Sequence, residues 1–169
     1  MNNKFLYIVL LLLGTFILPK FITAQNSNKF IRKGNNLYEE KDFKNAEIKY
    51  LKALEKDSTF VKGLFNRADA LYEQQNYEEA SKIFAKLTKQ NLSKENSASV
   101  WHNLGNTMLQ GKKYKNAIGS YQNALRNNPS DNDSKYNLVY AMEKLKEQQN
   151  KDKNKNKDKD KDKDKKQDK

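Results

Sequence analysis

At 169 residues, with 32% charged and 36% hydrophobic residues, the chain has room for one modest domain plus extensions. The absence of cysteine excludes a disulfide framework, a thiolate metal site, a cysteine nucleophile and a lipid-bearing N-terminal cysteine. The net charge of +12 is scattered: Lys4 and Lys20 at the start, an excess of four from ten Lys and six Asp between Asn150 and Lys169, and the rest along the middle without clustered aromatics, a pattern that argues against nucleic acid as partner.

Met1 to Lys4 is short and positive, and Phe5 to Leu18 is apolar except for Gly14 and Thr15. Pro19, Lys20 and the run Phe21-Ile22-Thr23-Ala24-Gln25 follow. This is the three-part layout of a secretory signal peptide, spanning 1–24, with cleavage expected between Ala24 and Gln25. The apolar stretch falls short of the roughly 20 residues that a spanning helix needs. An uncleaved membrane anchor is the alternative, since Phe21 and Ile22 could lengthen it. The expected location is therefore exported and periplasmic.

The middle repeats itself. Gly34, Ala68 and Gly105 share one register; Phe43, Tyr77 and Tyr114 follow together, then Ala46, Ala80 and Ala117, then Tyr50, Phe84 and Tyr121, then Ala53, Leu87 and Ala124. The first step is 34 residues and the second 37, so about three residues are inserted near Asn91 to Asn96. The polar breaks Glu40-Lys41-Asp42, Gln75-Asn76 and Gly111-Lys112-Lys113 read as turns between paired helices. Small residues at a fixed register let two helices cross closely, and the large residues fill space between pairs. Asn128-Pro129-Ser130-Asp131 ends the last pair, with Ser130 or Asp131 placed to cap the next helix.

This pattern resembles the tetratricopeptide repeat (TPR), whose period is 34 residues. The third copy is nearest its consensus, through Trp101, Leu104, Gly105, Met108, Tyr114, Ala117, Tyr121, Ala124 and Pro129. The expectation is an all-α helix-turn-helix solenoid over 25–149, with repeats at about 27–60, 61–94 and 98–131 and a capping helix at 132–149. In that helix Leu138, Val139 and Met142 fall where first-helix residues would, and the sequence turns polar after Leu145. Three stacked pairs are near the minimum for stability, because short helices are marginal alone.

The resemblance also implies a groove, lined in this family by the sixth and ninth residues of each first helix. Here these are Arg32, Asn66, Asn103 and Asn137, and Asn35, Asp69, Asn106 and Tyr140. A ladder of amides offers donors and acceptors to the backbone of an extended peptide. The family's carboxylate clamp is matched at Asn35 and Asn66 but not at its cationic positions, which hold Ile31, Ser99 and Asn103. No catalytic residue, metal site or cofactor is expected. His102 is the only histidine, Glu39, Glu40, Glu78 and Glu79 read as a solvated face, and phosphate-loop and serine-nucleophile motifs are absent.

From Asn150 to Lys169 the chain alternates Lys with Asp or Asn, without an apolar residue, and is expected to be a disordered tether that could associate weakly with an anionic membrane surface. The layout of signal segment, Lys29 to Asp57, Trp101 to Asn106, Asn128 to Ala141 and low-complexity tail resembles the BatC family, the TPR component of the Bacteroides aerotolerance (Bat) operon. That resemblance implies a non-enzymatic adaptor in a cell-envelope stress complex, with membrane proteins carrying von Willebrand factor A domains as partners. A structural envelope assembly factor, or an outer-membrane assembly or secretion accessory protein, stays open beside it.

Overall fold

The structure, a computed structural model, describes residues 27–167, with side chains through residue 153. The expected signal segment 1–24 and its cleavage site lie outside the described residues. The described chain contains helices and no strand, and it divides into two compact units on either side of the step from Leu87 to Thr88. Among the described residues, no helix is long and apolar enough to cross a membrane.

The first unit holds α1 (27–39), α2 (Phe43–Leu54), α3 (Val61–Glu73) and α4 (Tyr77–Leu87). Its core joins Ile31 of α1, Ala46, Tyr50 and Ala53 of α2 and Ala70 of α3, with Phe30, Leu37, Tyr38 and Phe60 packed around them. Ala46, Ala53, Ala68 and Ala80 are fully buried, as small residues at helix crossings should be. Polar ties add to this packing: Ser27 Oγ donates to Ala53 O, and Arg67 Nε meets Glu47 Oε1 at 3.2 Å between α3 and α2.

The second unit holds α5 (Lys94–Gln110), α6 (Tyr114–Asn127) and α7 (Asn132–Gln167). Ala117, Tyr121 and Ala141 form its centre, flanked by Met108, Leu109, Ile118 and Leu138. The three-residue insertion does not form a loop alone. Ser93 caps α5 by accepting from Asn96 N–H, so Lys94 to Ser97 become an extra helical turn ahead of position 98. Asp131, of the two candidates, caps α7, accepting from both Ser134 N–H and Ser134 Oγ.

The turns within the three pairs close in one way. Lys41, Gln75 and Lys112 have positive φ (61°, 61° and 57°), and the residue after each donates its N–H five residues back: Asp42 to Leu37, Asn76 to Leu71, Lys113 to Met108. This is a Schellman closure with Lys or Gln in the left-handed position that glycine or asparagine usually takes. Nothing in the sequence marks it, because none of the three is a typical left-handed residue.

Two expectations about the end of the chain change. In α7, Leu138 and Ala141 face the core, whereas Val139 and Met142 are 57% and 52% exposed, because no second helix follows to cover them among the described residues. And α7 does not stop at Gln149: it runs through Asn150 to Gln167, where composition alone predicts disorder. Extending a helix already nucleated on a packed unit adds one backbone hydrogen bond per residue fixed, and lysine is a good helix former.

The decisive contact lies inside the first and third pairs. A Cβ built on Gly105 would sit 2.5 Å from Tyr121 Cε1, and one on Gly34 would sit 2.4 Å from Tyr50 Cε1. The tyrosine ring therefore rests on the glycine of its own pair, rather than filling only the space between pairs. Gly119, also helical, has nothing within 4 Å of its Cβ position. Gly105→Ala should lower stability by about 1–2 kcal/mol, since overpacking outweighs the gain in helix propensity. Gly119→Ala should raise it by about 0.5–1 kcal/mol. Urea unfolding of the two variants checks both signs.

Candidate functional site

The first helices of each unit carry the residues expected to line a groove, and the structure shows how the amides among them are held. In the first unit, Asn35 of α1 accepts two hydrogen bonds at Oδ1, from Tyr50 O–H (3.0 Å) and from Asn66 Nδ2 of α3 (2.8 Å). In the second, Asn106 of α5 does the same for Tyr121 O–H (2.8 Å) and Asn137 Nδ2 of α7 (3.0 Å). A carbonyl oxygen has two lone pairs, so both are used, and the N–H pairs of Asn35 and Asn106 are left for a ligand or water. The amide orientation follows from these bonds. The expected ladder is thus a set of two oriented pairs rather than independent rungs.

Two hollows open beside the first pair. One, of about 250 Å³, is lined by Asn35, Tyr38, Glu39, Tyr50, Asn66 and Asp69. The other, of about 430 Å³, is lined by Lys29, Arg32, Lys33, Asn35, Asn36 and Glu39. The structure therefore brings Asn35, Asn66 and Asp69 together and puts Arg32 in the adjoining hollow. In the second unit Asn106 and Asn137 meet. Asn103 accepts at its backbone carbonyl from Thr107 Oγ1, and Tyr140 lies 40% exposed with Lys144 Nζ 5.3 Å from its ring centre.

The smaller hollow has a negative field. Burial pushes Asp69 up to about 7, and the Glu73 carboxylate adds to the effect. Burial likewise raises the Tyr38 and Tyr50 hydroxyls to about 12, with the Asp69 charge next in importance for both. Tyr38, Tyr50, Glu39 and Glu73 were not among the expected site residues. A signal for the tyrosines was present in the sequence: Gly-Asn precedes Tyr by 16 and 15 residues at 34, 35 and 50, and again at 105, 106 and 121, whereas the middle copy reads Ala68, Asp69 and Phe84. Tyrosine occurs where asparagine can receive its hydroxyl, and phenylalanine where it is replaced by aspartate.

His102 is not an isolated surface residue. Its Nδ1 lies 2.7 Å from Ser134 Oγ and 3.5 Å from Asp131 Oδ2. Ser134 Oγ is itself 2.5 Å from Asp131 Oδ2 and gives it the hydroxyl proton, so His102 Nδ1–H donates to Ser134 Oγ. Ser134 is fully buried, and its proton points away from the imidazole. This arrangement ties α5 to the start of α7 and has the wrong polarity for a nucleophilic serine. Among the described residues, no group of three or more His, Cys, Asp or Glu is placed to hold a metal ion.

Two tetratricopeptide repeat family models match the chain, over residues 65–132 and 49–80. Over residues 49–132 the helix pairs match the tetratricopeptide repeat. The STIP1 homolog of Dictyostelium discoideum is 31% identical over 119 residues, 68% of this chain; the chain spans about a fifth (21%) of that relative's length. The TPR2AB domain of yeast Sti1, solved as a complex with HSP90, is 25% identical with a TM-score of 0.65, covering 73% of this chain and 48% of that one. The first TPR of Spaghetti (RPAP3), bound to an HSP90 peptide, is 19% identical with a TM-score of 0.67 (72% and 94% covered). The Sgt2 TPR domain of Aspergillus fumigatus is 23% identical with a TM-score of 0.66 (73% and 82% covered).

Ile31, expected at a clamp-cation position, is 1% exposed and part of the core of the first unit. Asp69 supplies a second measurable property. Between about pH 4 and 7 the folded chain keeps a proton on Asp69 that the unfolded chain has released, so this group's contribution to stability falls as pH rises across that window and levels off above it. Asp69→Asn should therefore raise stability at pH 8 by about 1–2 kcal/mol and flatten the dependence between pH 5 and 8. Thermal melts of both proteins at the two pH values measure this.

Proposed function

We propose that the chain is an exported, non-catalytic TPR adaptor that holds an extended segment of another protein against first-helix amides, Asn35 and Asn66 in its first unit or Asn106 and Asn137 in its second. The observation that carries this reading is the pair of oriented amides, each fixed by a buried tyrosine. Fixed donors bind a peptide backbone without having to be ordered at the moment of binding. The HSP90 complex named for the yeast Sti1 neighbour and the HSP90-peptide complex named for the Spaghetti neighbour support the mode of binding. They do not extend to the same ligand, because the clamp cations are replaced here by Ile31, Ser99 and Asn103.

Export rests on the composition of residues 1–24, and a place in a Bat-type aerotolerance complex of the envelope rests on the resemblance to BatC. In that setting the partner is a segment of a membrane protein with a von Willebrand factor A domain, and the Lys/Asp-rich end adds weak attraction to an anionic surface. One observation favours a second reading, a structural assembly factor. Tyr136, Val139 and Met142 form an apolar strip on α7, 72%, 57% and 52% exposed.

Asn66→Ala with Asn137→Ala separates the two readings, because each removes a donor while Tyr50 and Tyr121 keep their partners Asn35 and Asn106. After in-cell cross-linking has identified the partner, the double variant should bind its segment on the order of tenfold more weakly with little change in melting temperature. Undiminished binding, together with loss on Val139→Lys, would replace the adaptor reading with the assembly reading.

A further inference from the structure

The two hollows of the first unit differ in chemistry and adjoin each other, sharing Asn35 and Glu39. One is bordered by Lys29, Arg32 and Lys33. The other is bordered by Tyr38, Tyr50 and Asp69, with no cation among its lining residues. The nearby Arg67 is engaged with Glu47 on another part of the α2–α3 contact. At about 250 Å³ the second hollow is smaller than the roughly 300–1,000 Å³ typical of small-molecule pockets, so it suits one side chain rather than a cofactor.

We propose that these adjoining hollows form a bipolar peptide site, selecting a segment with an acidic side chain for the Lys29–Arg32–Lys33 hollow and a basic side chain for the Tyr38–Asp69 hollow. The proposal rests on the adaptor reading and adds the chemistry of the partner. A lysine or arginine has the right form for the second hollow. Its methylene stem lies along tyrosine rings while its charged head reaches a carboxylate, as snorkelling side chains do. The raised Asp69 and tyrosine pKa values agree, since both mark a place where negative charge is disfavoured and an arriving cation would be stabilising. On the other side, arginine and lysine grouped on one helix meet a carboxylate with charge-assisted hydrogen bonds. Asn35, whose N–H donors are left over between the two hollows, is placed to hold the backbone that joins the two side chains.

The test is selection from a random peptide display library on the full chain. The expected peptides carry one basic and one acidic residue at a fixed offset. Asp69→Asn should erase the preference at the basic position only. Arg32→Gln with Lys33→Gln should erase it at the acidic position only. Each should weaken the selected peptide on the order of tenfold. Peptides that lack paired charges but are lost on Asn66→Ala would overturn this proposal and leave the adaptor reading standing. Failure to enrich any peptide would overturn both.

Discussion

A tyrosine ring laid on a glycine, with its hydroxyl held by the next residue's amide, is the contact on which both units depend. Gly34 and Tyr50 make it in the first unit, Gly105 and Tyr121 in the second. The glycine brings the ring close enough to be buried, and burial obliges the hydroxyl to find a partner, because an unsatisfied one would cost about 1–3 kcal/mol. The asparagine that meets this need then has one lone pair left, which an asparagine of the following first helix fills. One contact thus fixes a helix pair, joins it to the next first helix, and orients the amides on the candidate binding face.

This coupling explains why the residues of the proposed site do two things at once. Asn35 and Asn106 hold the fold through their carbonyl oxygens, and their side-chain N–H groups take no part in those bonds. Asn66 and Asn137 can be removed with less structural consequence, since Tyr50 and Tyr121 still donate to Asn35 and Asn106, although Tyr50 loses the hydrogen bond that Asn66 makes to its hydroxyl. Asp69 stands where the pattern changes: with Phe84 in its copy there is no hydroxyl to receive, and a carboxylate takes the place of the amide. Its carboxyl gives the first unit an acidic hollow for which the second unit offers no equivalent among its described hydrogen-bonded pairs.

The repeat architecture was legible in the sequence because three registers of small and large residues recur together, and packing requires those residue types at those places. The site residues were legible only through the family pattern, and only as a set. That Asn35 pairs with Asn66, and Asn106 with Asn137, depends on how successive first helices lie side by side, which spacing alone does not reveal. The left-handed turns at Lys41, Gln75 and Lys112 were hidden because tertiary packing of the pair imposes them on residues that do not prefer that conformation. The helical course of α7 beyond Asn150 was missed because composition reports what a segment can bury, not what a folded neighbour can propagate.

The energetic link between tyrosine and asparagine is what holds the fold and the binding face together. A double-mutant cycle of Tyr50→Phe and Asn35→Ala, followed by denaturant unfolding, measures it directly. The expected coupling is about 1 kcal/mol or more, with the double variant less destabilised than the sum of the single ones. Additive effects would contradict it, since they would mean that the hydroxyl and the amide contribute independently and that the tyrosine does not orient the binding face.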